Sequence, residues 1–346
     1  MSHAAVPAGP GDDAFTVIGV DIGGTKIEVA LADAHGAVLT RERLETRAAL
    51  GPDQALARTA EAVRRLGKVA VDVHGLPVAA WAAGCPGVIQ RDRILLTPNL
   101  PGWETLALAD RLAEEFGVAQ VQVSNDVRAG ALAEARFGAL RAVDTGMYVS
   151  LGTGIAGALV VHGRVLSGAN QASGEMGYMN PGMAPLDSVA AGCAPLEEVV
   201  GGRWLGGRAA LLAGEPSSEQ LFRRTDPEAR ELVNETLRVL AMALANLAVF
   251  VDPSRIVLGG GMMAAAETIL PTLAELVSGA TPFPPEIVAA RFLKDASLHG
   301  AVALALDGAH AAAAGAQQTS TSTSTDAPNL VHVPRPDLRR TPGGPR

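Results

Sequence analysis

Three short segments pair small residues with polar ones in a way that suits phosphate binding. Asp21-Ile22-Gly23-Gly24-Thr25-Lys26 follows Phe15 to Asp21, an apolar run that reads as a buried strand. Small residues let backbone N–H groups approach phosphate oxygens, and Thr25 adds a hydroxyl donor. Gly23, Gly24, Thr25 and Lys26 are therefore candidate phosphate-binding residues. Asp21 can hold a water on Mg²⁺ near a transferring phosphate. The plain alternative is a tight hairpin turn with an exposed Asp. Leu151 is followed by Gly152-Thr153-Gly154, a matching second phosphate loop. Gly260 and Gly261, after a further strand, suit an adenosine pocket. Glycine-rich turns are common singly, but the order and separation of these three are specific.

A fourth segment could supply acid–base chemistry. Ser124-Asn125-Asp126 follows the strand Val121 to Val123 and precedes the helix Val127 to Arg136. A strand-end Asp at a cleft is placed to take the proton from an attacking hydroxyl as that oxygen bonds to phosphorus. Asn125 offers a donor and an acceptor to a polyol hydroxyl. The competing reading of the segment is simple capping of the helix that follows.

These residues need elements to position them, and the chain repeats one plan twice. In the first half, strands Phe15–Asp21, Ile27–Ala32 and Ala37–Arg43 precede a helix over Pro52–Leu66 and a buried strand Val78–Gly84. The helix sets Ala55, Leu56, Ala62, Val63 and Leu66 on one side. In the second half, strands Gly146–Leu151, Ile155–Val161 and Arg164–Ser167 precede a long helix, Pro227–Phe250, and the strand Arg255–Leu258. Asp226 suits the N-cap of that helix and Pro227 its first position. Val233, Leu237, Leu240, Leu244, Leu247 and Val251 recur at helical spacing as a core stripe. Two similar α/β halves facing a cleft predict the actin-like ATPase (ribonuclease H-like) fold, with a hinge between domains. The expected boundaries are an N-terminal α/β domain over 15–124, completed by a C-terminal helix near 299–314, and a C-terminal α/β domain over 125–298. Residues 1–14 read as a disordered arm. Residues 315–346, rich in Ser/Thr, then Pro and Arg, read as a disordered tail.

Composition narrows the function classes. The 346 residues suffice for two domains with a core. A net charge of -8 argues against nucleic-acid or membrane-surface partners. The two cysteines, Cys85 and Cys193, form no disulfide framework and fit a reducing cytoplasm. No secretory signal is legible at the N-terminus, and no charge-free apolar run of transmembrane length stands out.

The chain resembles the ROK (repressor, ORF, kinase) family over about residues 15–312. The resemblance is carried by Val20 to Lys26, Cys85-Pro86-Gly87, Asn99-Leu100-Pro101-Gly102-Trp103, Asn125-Asp126, Leu151 to Gly154, Gly174-Glu175-Met176-Gly177 and Leu196-Glu197. It implies a cytoplasmic, ATP- and Mg²⁺-dependent sugar kinase, homodimeric, with Asp126 as catalytic base. It also implies that Asn99, Asn125, Glu175 and Glu197 hydrogen-bond the ring of a sugar or sugar-like cyclitol. A pocket of paired polar groups suits a polyol, because a missing hydroxyl would strand buried groups.

Two departures stand out. Where the family usually carries a His that contacts the sugar and ligates a structural zinc, this chain has Tyr178. Where the Cys-rich zinc loop should precede Leu196-Glu197, residues 190–195 hold one cysteine, Cys193. A structural zinc takes about four ligands, so no zinc is expected, and Cys193 is expected to be a small buried residue. Family repressors carry a DNA-binding domain before the kinase-like body, and only about 14 residues precede the first strand here. A non-catalytic sugar-binding role fits poorly with the presence of both Asp21 and Asp126. Polyphosphate as donor would need a basic track, which the sequence does not show. The acceptor is expected to be glucose-shaped, attacked through a primary hydroxyl. Tyr178 is expected either to fill the space left by the missing zinc loop or to reshape the substrate site at the end of the ring opposite the phosphorylated carbon. Kinases of actinomycete antibiotic pathways that act on kanosamine or C7 cyclitols are similar in overall pattern. A cyclitol has no anomeric centre and so matches the lost His. The alternative is an ordinary glucokinase.

Overall fold

In the computed structural model, residues 14–182, 184–213 and 218–321 are described. The chain divides into two units, up to Ala309 and from His310 onward. The account below concerns the first.

The phosphate-loop segments lie where strands end, so strand order comes first. The chain runs β1 (Thr16–Ile22), β2 (Lys26–Asp33), β3 (Val38–Glu45), α1 (Pro52–Asp72), β4 (Val78–Cys85), a short ribbon of β5 (Val88–Ile89) and β6 (Ile94–Leu95), α2 (Leu108–Phe116), β7 (Gln122–Asn125) and α3 (Asp126–Phe137). It continues through β8 (Thr145–Leu151), β9 (Ile155–Val161), β10 (Arg164–Val165), α4 (Glu197–Val200), α5 (Gly202–Ala213), α6 (Ser218–Arg223), α7 (Pro227–Val251), β11 (Arg255–Gly259), α8 (Ala266–Ala280), β12 (Glu286–Ala289) and α9 (Ala296–Thr321). One sheet has the order β3-β2-β1-β4-β7 and the other β10-β9-β8-β11-β12. Each is an antiparallel meander of three strands extended by two parallel ones. The twofold repeat read from the sequence is thus a repeat of topology, and the fold is the actin-like ATPase fold.

Burial explains why these segments form these elements. Strand β1 is buried along nearly its whole length, as expected of a central strand covered on both faces. Helix α1 buries the predicted Ala55, Leu56, Ala62, Val63 and Leu66. Helix α7 starts where Asp226 accepts the Ala229 N–H at 3.0 Å. Its Val233, Leu237, Leu240 and Leu244 are buried in the core of the second sheet, with Leu247 and Val251 packed at its margin. Among the described residues α7 is the one helix long and apolar enough to cross a membrane, and more than half of its apolar window is buried inside the protein.

Helix α9 begins at Ala296 and runs to Thr321, beyond both ends of the 299–314 segment expected from sequence. Its Leu298, Val302, Ala305 and Leu306 pack on Val17, Ala30 and Ala82 of the first sheet. The opening residues of the expected tail, 315–321, are therefore helical, while the rest of it and the expected arm over 1–13 lie outside the described residues. The strand expected over Arg164–Ser167 shortens to Arg164–Val165. From Ser167 the chain turns away to form the loop that carries Glu175.

Helix α3 packs on the second sheet through Ala131 and Ala135, against Tyr148, Ala158 and Val160. Helices α3 and α9 cross where Gly300 meets Ala129. A Cβ on Gly300 would overlap the Ala129 carbonyl, so the crossing requires glycine.

Candidate active site

The strand ends and loops converge on one cleft of about 640 Å³. Of the residues singled out in the sequence, Lys26, Asn99, Asn125, Asp126, Gly152, Thr153, Gly154, Glu175, Glu197, Gly260 and Gly261 line it. Asp21, Gly23, Gly24, Thr25 and Tyr178 are not among its lining residues.

At the first phosphate loop, the Gly23 N–H donates to the Lys26 carbonyl at 2.9 Å and the Gly23 carbonyl accepts the Thr46 hydroxyl at 2.5 Å. The Gly23 N–H is thus used inside the turn and is not available to a phosphate. Gly24 packs on Asn99, and Thr25 is exposed. Lys26 pairs with Glu28 at 2.5 Å, and the Glu28 carboxylate is nearly buried.

The second loop is held from behind. The first residues of α5 donate to it, Gly202 N–H to the Gly152 carbonyl and Arg203 N–H to the Thr153 carbonyl, each at 2.9 Å. These bonds engage carbonyl oxygens that would otherwise repel an anion. The Gly152 N–H bonds the Gly154 carbonyl at 3.0 Å. Around Gly152 and Gly261 the space next to the backbone is open, so a ligand can approach closely there.

Asn125, and not Asp126, caps α3. Its Oδ1 accepts the N–H groups of Val127 at 2.9 Å and Arg128 at 3.2 Å, and its amide donates to the Gly87 carbonyl at 2.8 Å. The sequence suggested that Asn125 could both donate and accept toward a hydroxyl. Its oxygen is committed to the cap, and one N–H remains. Asp126, at the first helical position, accepts the Val127 N–H at 2.9 Å. Burial raises the proton affinity of Asp126, opposed by that N–H and reinforced by the Glu175 charge. Glu175 is itself raised, first by burial and then by Glu197, while Arg128 pulls it down. Asp21 is pushed up to about 6, chiefly by burial and further by Asp126, with the Ser297 hydroxyl opposing.

Glu175 is placed by Gly174, whose φ of +93° and contact with the Gly157 carbonyl leave no room for a side chain. The Glu197 carboxylate accepts the Ile155 N–H at 3.1 Å and lies against Gly154. Tyr178 lies in the 3₁₀ turn Met176–Tyr178, half-buried, its phenol raised by burial and by the charges of Glu175 and Glu197.

Cys193 is half-buried rather than buried, and Cys85 is buried with its thiol pushed well up. The zinc donor set of the family is not matched by Tyr178 and one thiol. Among the described residues no three His, Cys, Asp or Glu side chains converge as metal ligands. Sequence reasoning passed over Ser150, Leu293 and Lys294, which also line the cleft. Lys294 sits in an irregular loop with no periodic pattern. Only the crossover from β12 to α9 brings it to the site.

The family model for ROK matches residues 17–308. A kanosamine kinase from Amycolatopsis mediterranei is 31% identical over 298 residues, covering 83% of this chain and 95% of the relative. A glucokinase from Thermotoga maritima is 29% identical over 314 residues, covering 83% and 96%. A ROK family glucokinase from Streptomyces griseus, solved with glucose and AMPPNP, has 26% identity and a TM-score of 0.67, covering 84% of this chain and 99% of that one. The chain therefore belongs to the ROK family and is one of its sugar kinases, a phosphotransferase with an alcohol group as acceptor.

Proposed function

We propose that the protein transfers the γ-phosphoryl group of ATP to the primary hydroxyl of a glucose-like ring, with an amino sugar or C7 cyclitol as the preferred acceptor. The observation that carries this reading is the shared cleft. Asp126, a carboxylate of raised proton affinity, lines it together with Asn99, Glu175 and Glu197 on one hand and Gly152 to Gly154 and Gly260-Gly261 on the other.

In the proposed mechanism Asn99, Glu175, Glu197 and the free Asn125 N–H orient the acceptor. The acceptor oxygen bonds to the γ-phosphorus as the bond to the ADP oxygen breaks, and its proton passes to the Asp126 carboxylate. Mg²⁺, when bound, would neutralise charge developing on the phosphates. Asp21, which does not itself line the cleft but feels the Asp126 charge, would hold its water, and a cation there would relieve that repulsion. Nothing in the loop around Cys193 calls for zinc.

The acceptor preference rests on Tyr178, which follows Glu175 where a His is usual, and on the likeness to a kanosamine kinase. A kinetic panel of glucose, mannose, fructose, kanosamine, other amino sugars and valienone-type cyclitols tests it. An amino sugar or cyclitol should exceed glucose in kcat/KM by at least about tenfold, or ~1.4 kcal/mol of differential transition-state binding. If glucose equals or beats them all, the protein is an ordinary glucokinase and Tyr178 only fills space.

A further inference from the structure

We infer that Lys294 is the residue that supplies positive charge to the phosphates of the donor, a role that the glycine-loop reading would give to Lys26. The inference rests on the ATP-dependent reading above and adds a donor-binding residue to that site.

The cleft is lined by three carboxylates, Asp126, Glu175 and Glu197, and by two cations, Lys26 and Lys294. A nucleoside triphosphate is strongly anionic, so the cleft needs cationic charge not already matched by a neighbour. Lys26 does not meet that need, because its ammonium is held 2.5 Å from the nearly buried Glu28 carboxylate. Lys294 is exposed, and no described side chain forms an ion pair with it.

Its position is the donor end of the cleft. A smaller recess of about 130 Å³ joins Lys294 to Ser150, Gly260, Asp126 and Ser297. Ser150 and Gly260 stand at the ends of β8 and β11, the strands that lead into the second phosphate loop and the Gly260-Gly261 turn. The Ser297 hydroxyl, which lowers the proton affinity of Asp21, lines the same recess.

The loop that presents Lys294 is tied down on its N-terminal side. The Ala290 N–H donates to the Leu258 carbonyl at 2.8 Å, and the Phe292 N–H donates to the buried Glu134 carboxylate at 2.9 Å. The Arg291 guanidinium donates to the Phe137 carbonyl at 2.5 Å. Lys294 thus lies between these anchors and the start of α9 at Ala296, which limits what has to be ordered when a phosphate arrives.

The test is titration calorimetry on the full-length protein with ATP and, separately, adenosine, for the wild type, Lys294→Met and Lys294→Arg, alongside steady-state kinetics. Loss of a charge-assisted hydrogen bond should weaken ATP binding and raise KM for ATP roughly 10- to 100-fold in Lys294→Met. Adenosine affinity and KM for the acceptor should stay unchanged, and Lys294→Arg should recover most of the loss. Lys26→Met should cost ATP affinity less than Lys294→Met does. ATP affinity equal to wild type in Lys294→Met, or a parallel loss of adenosine binding, overturns the inference. The kinase reading fails on different data, a wild type that releases no ADP with any polyol, and the ATP titration still reports on Lys294 in that case. A wild type that does not bind ATP overturns both.

Discussion

Asp21 and Asp126 each carry raised proton affinity for the same first reason, burial, with Asp126 adding to the rise at Asp21 and Glu175 adding to that at Asp126. Two consequences are measurable. A base must be deprotonated to act, so a raised pKa moves the acid limb of the kcat/KM profile upward, above the ordinary carboxylate range. Asp126→Asn should remove that base and lower kcat by about 10² to 10⁴-fold without lowering the melting temperature. Retention of a tenth of the wild-type rate would contradict the role. Asp21 bears on stability. Its folded pKa of about 6 lies above the ordinary value of 3.8 for this side chain. The folded state therefore holds the proton more tightly, and the associated stability is complete below about 3.8 and lost as pH rises through about 6. Asn carries no charge at either pH. Asp21→Asn should thus raise the unfolding free energy at pH 7, by up to about 3 kcal/mol, with the gain shrinking toward pH 4. Thermal melts across that range decide it, and a gain independent of pH would rule out the linkage.

At the scale of elements, the crossing of α3 and α9 joins the helix that begins with Asp126 to the helix that covers the first sheet. Gly300→Ala would place a methyl on the Ala129 carbonyl, and denaturant titration should show a loss of about 1–3 kcal/mol. Gly67→Ala, in α1 with open space around it, should instead be neutral or stabilising by up to about 1 kcal/mol. Equal effects at the two positions would mean that the crossing can relax. Much of this level was legible in the sequence. Alternation and continuous apolar runs located β1, β2 and β8, and the Asp226-Pro227 pair located the start of α7. What escaped depends on tertiary placement. Nothing local in Leu293-Lys294-Asp295 says that a crossover delivers Lys294 to a cleft. Nothing in Ser-Asn-Asp says which side chain takes the cap, and the structure gives it to Asn125. The Gly23 N–H looked available until its bond to the Lys26 carbonyl was seen.

At the scale of the whole molecule, the cleft draws Asn125 and Asp126 from the end of the first sheet and Gly152 to Gly154 and Gly260 from the end of the second. Groups on two sheets converge fully only if the halves approach. Small-angle scattering should show a smaller radius of gyration with acceptor plus AMPPNP than without ligand, and superimposable profiles would count against closure. Under the proposed function Glu197 then takes on a meaning beyond ring recognition. Its carboxylate holds the Ile155 N–H, the first residue past Gly154, so one side chain touches both the acceptor side and the donor loop. On the proposed function, whatever the acceptor does to Glu197 would be felt by that loop, and coupling between the two binding events would be thermodynamically reciprocal. Nucleotide should tighten acceptor binding by the same factor as acceptor tightens nucleotide, typically about 5- to 150-fold. Glu197→Gln should shrink that factor, measured by calorimetry with each partner present and absent. On that reading a synergy of this kind would also keep an idle enzyme from spilling phosphate to water, because the donor loop would reach its working geometry only when an alcohol is in place to receive the group.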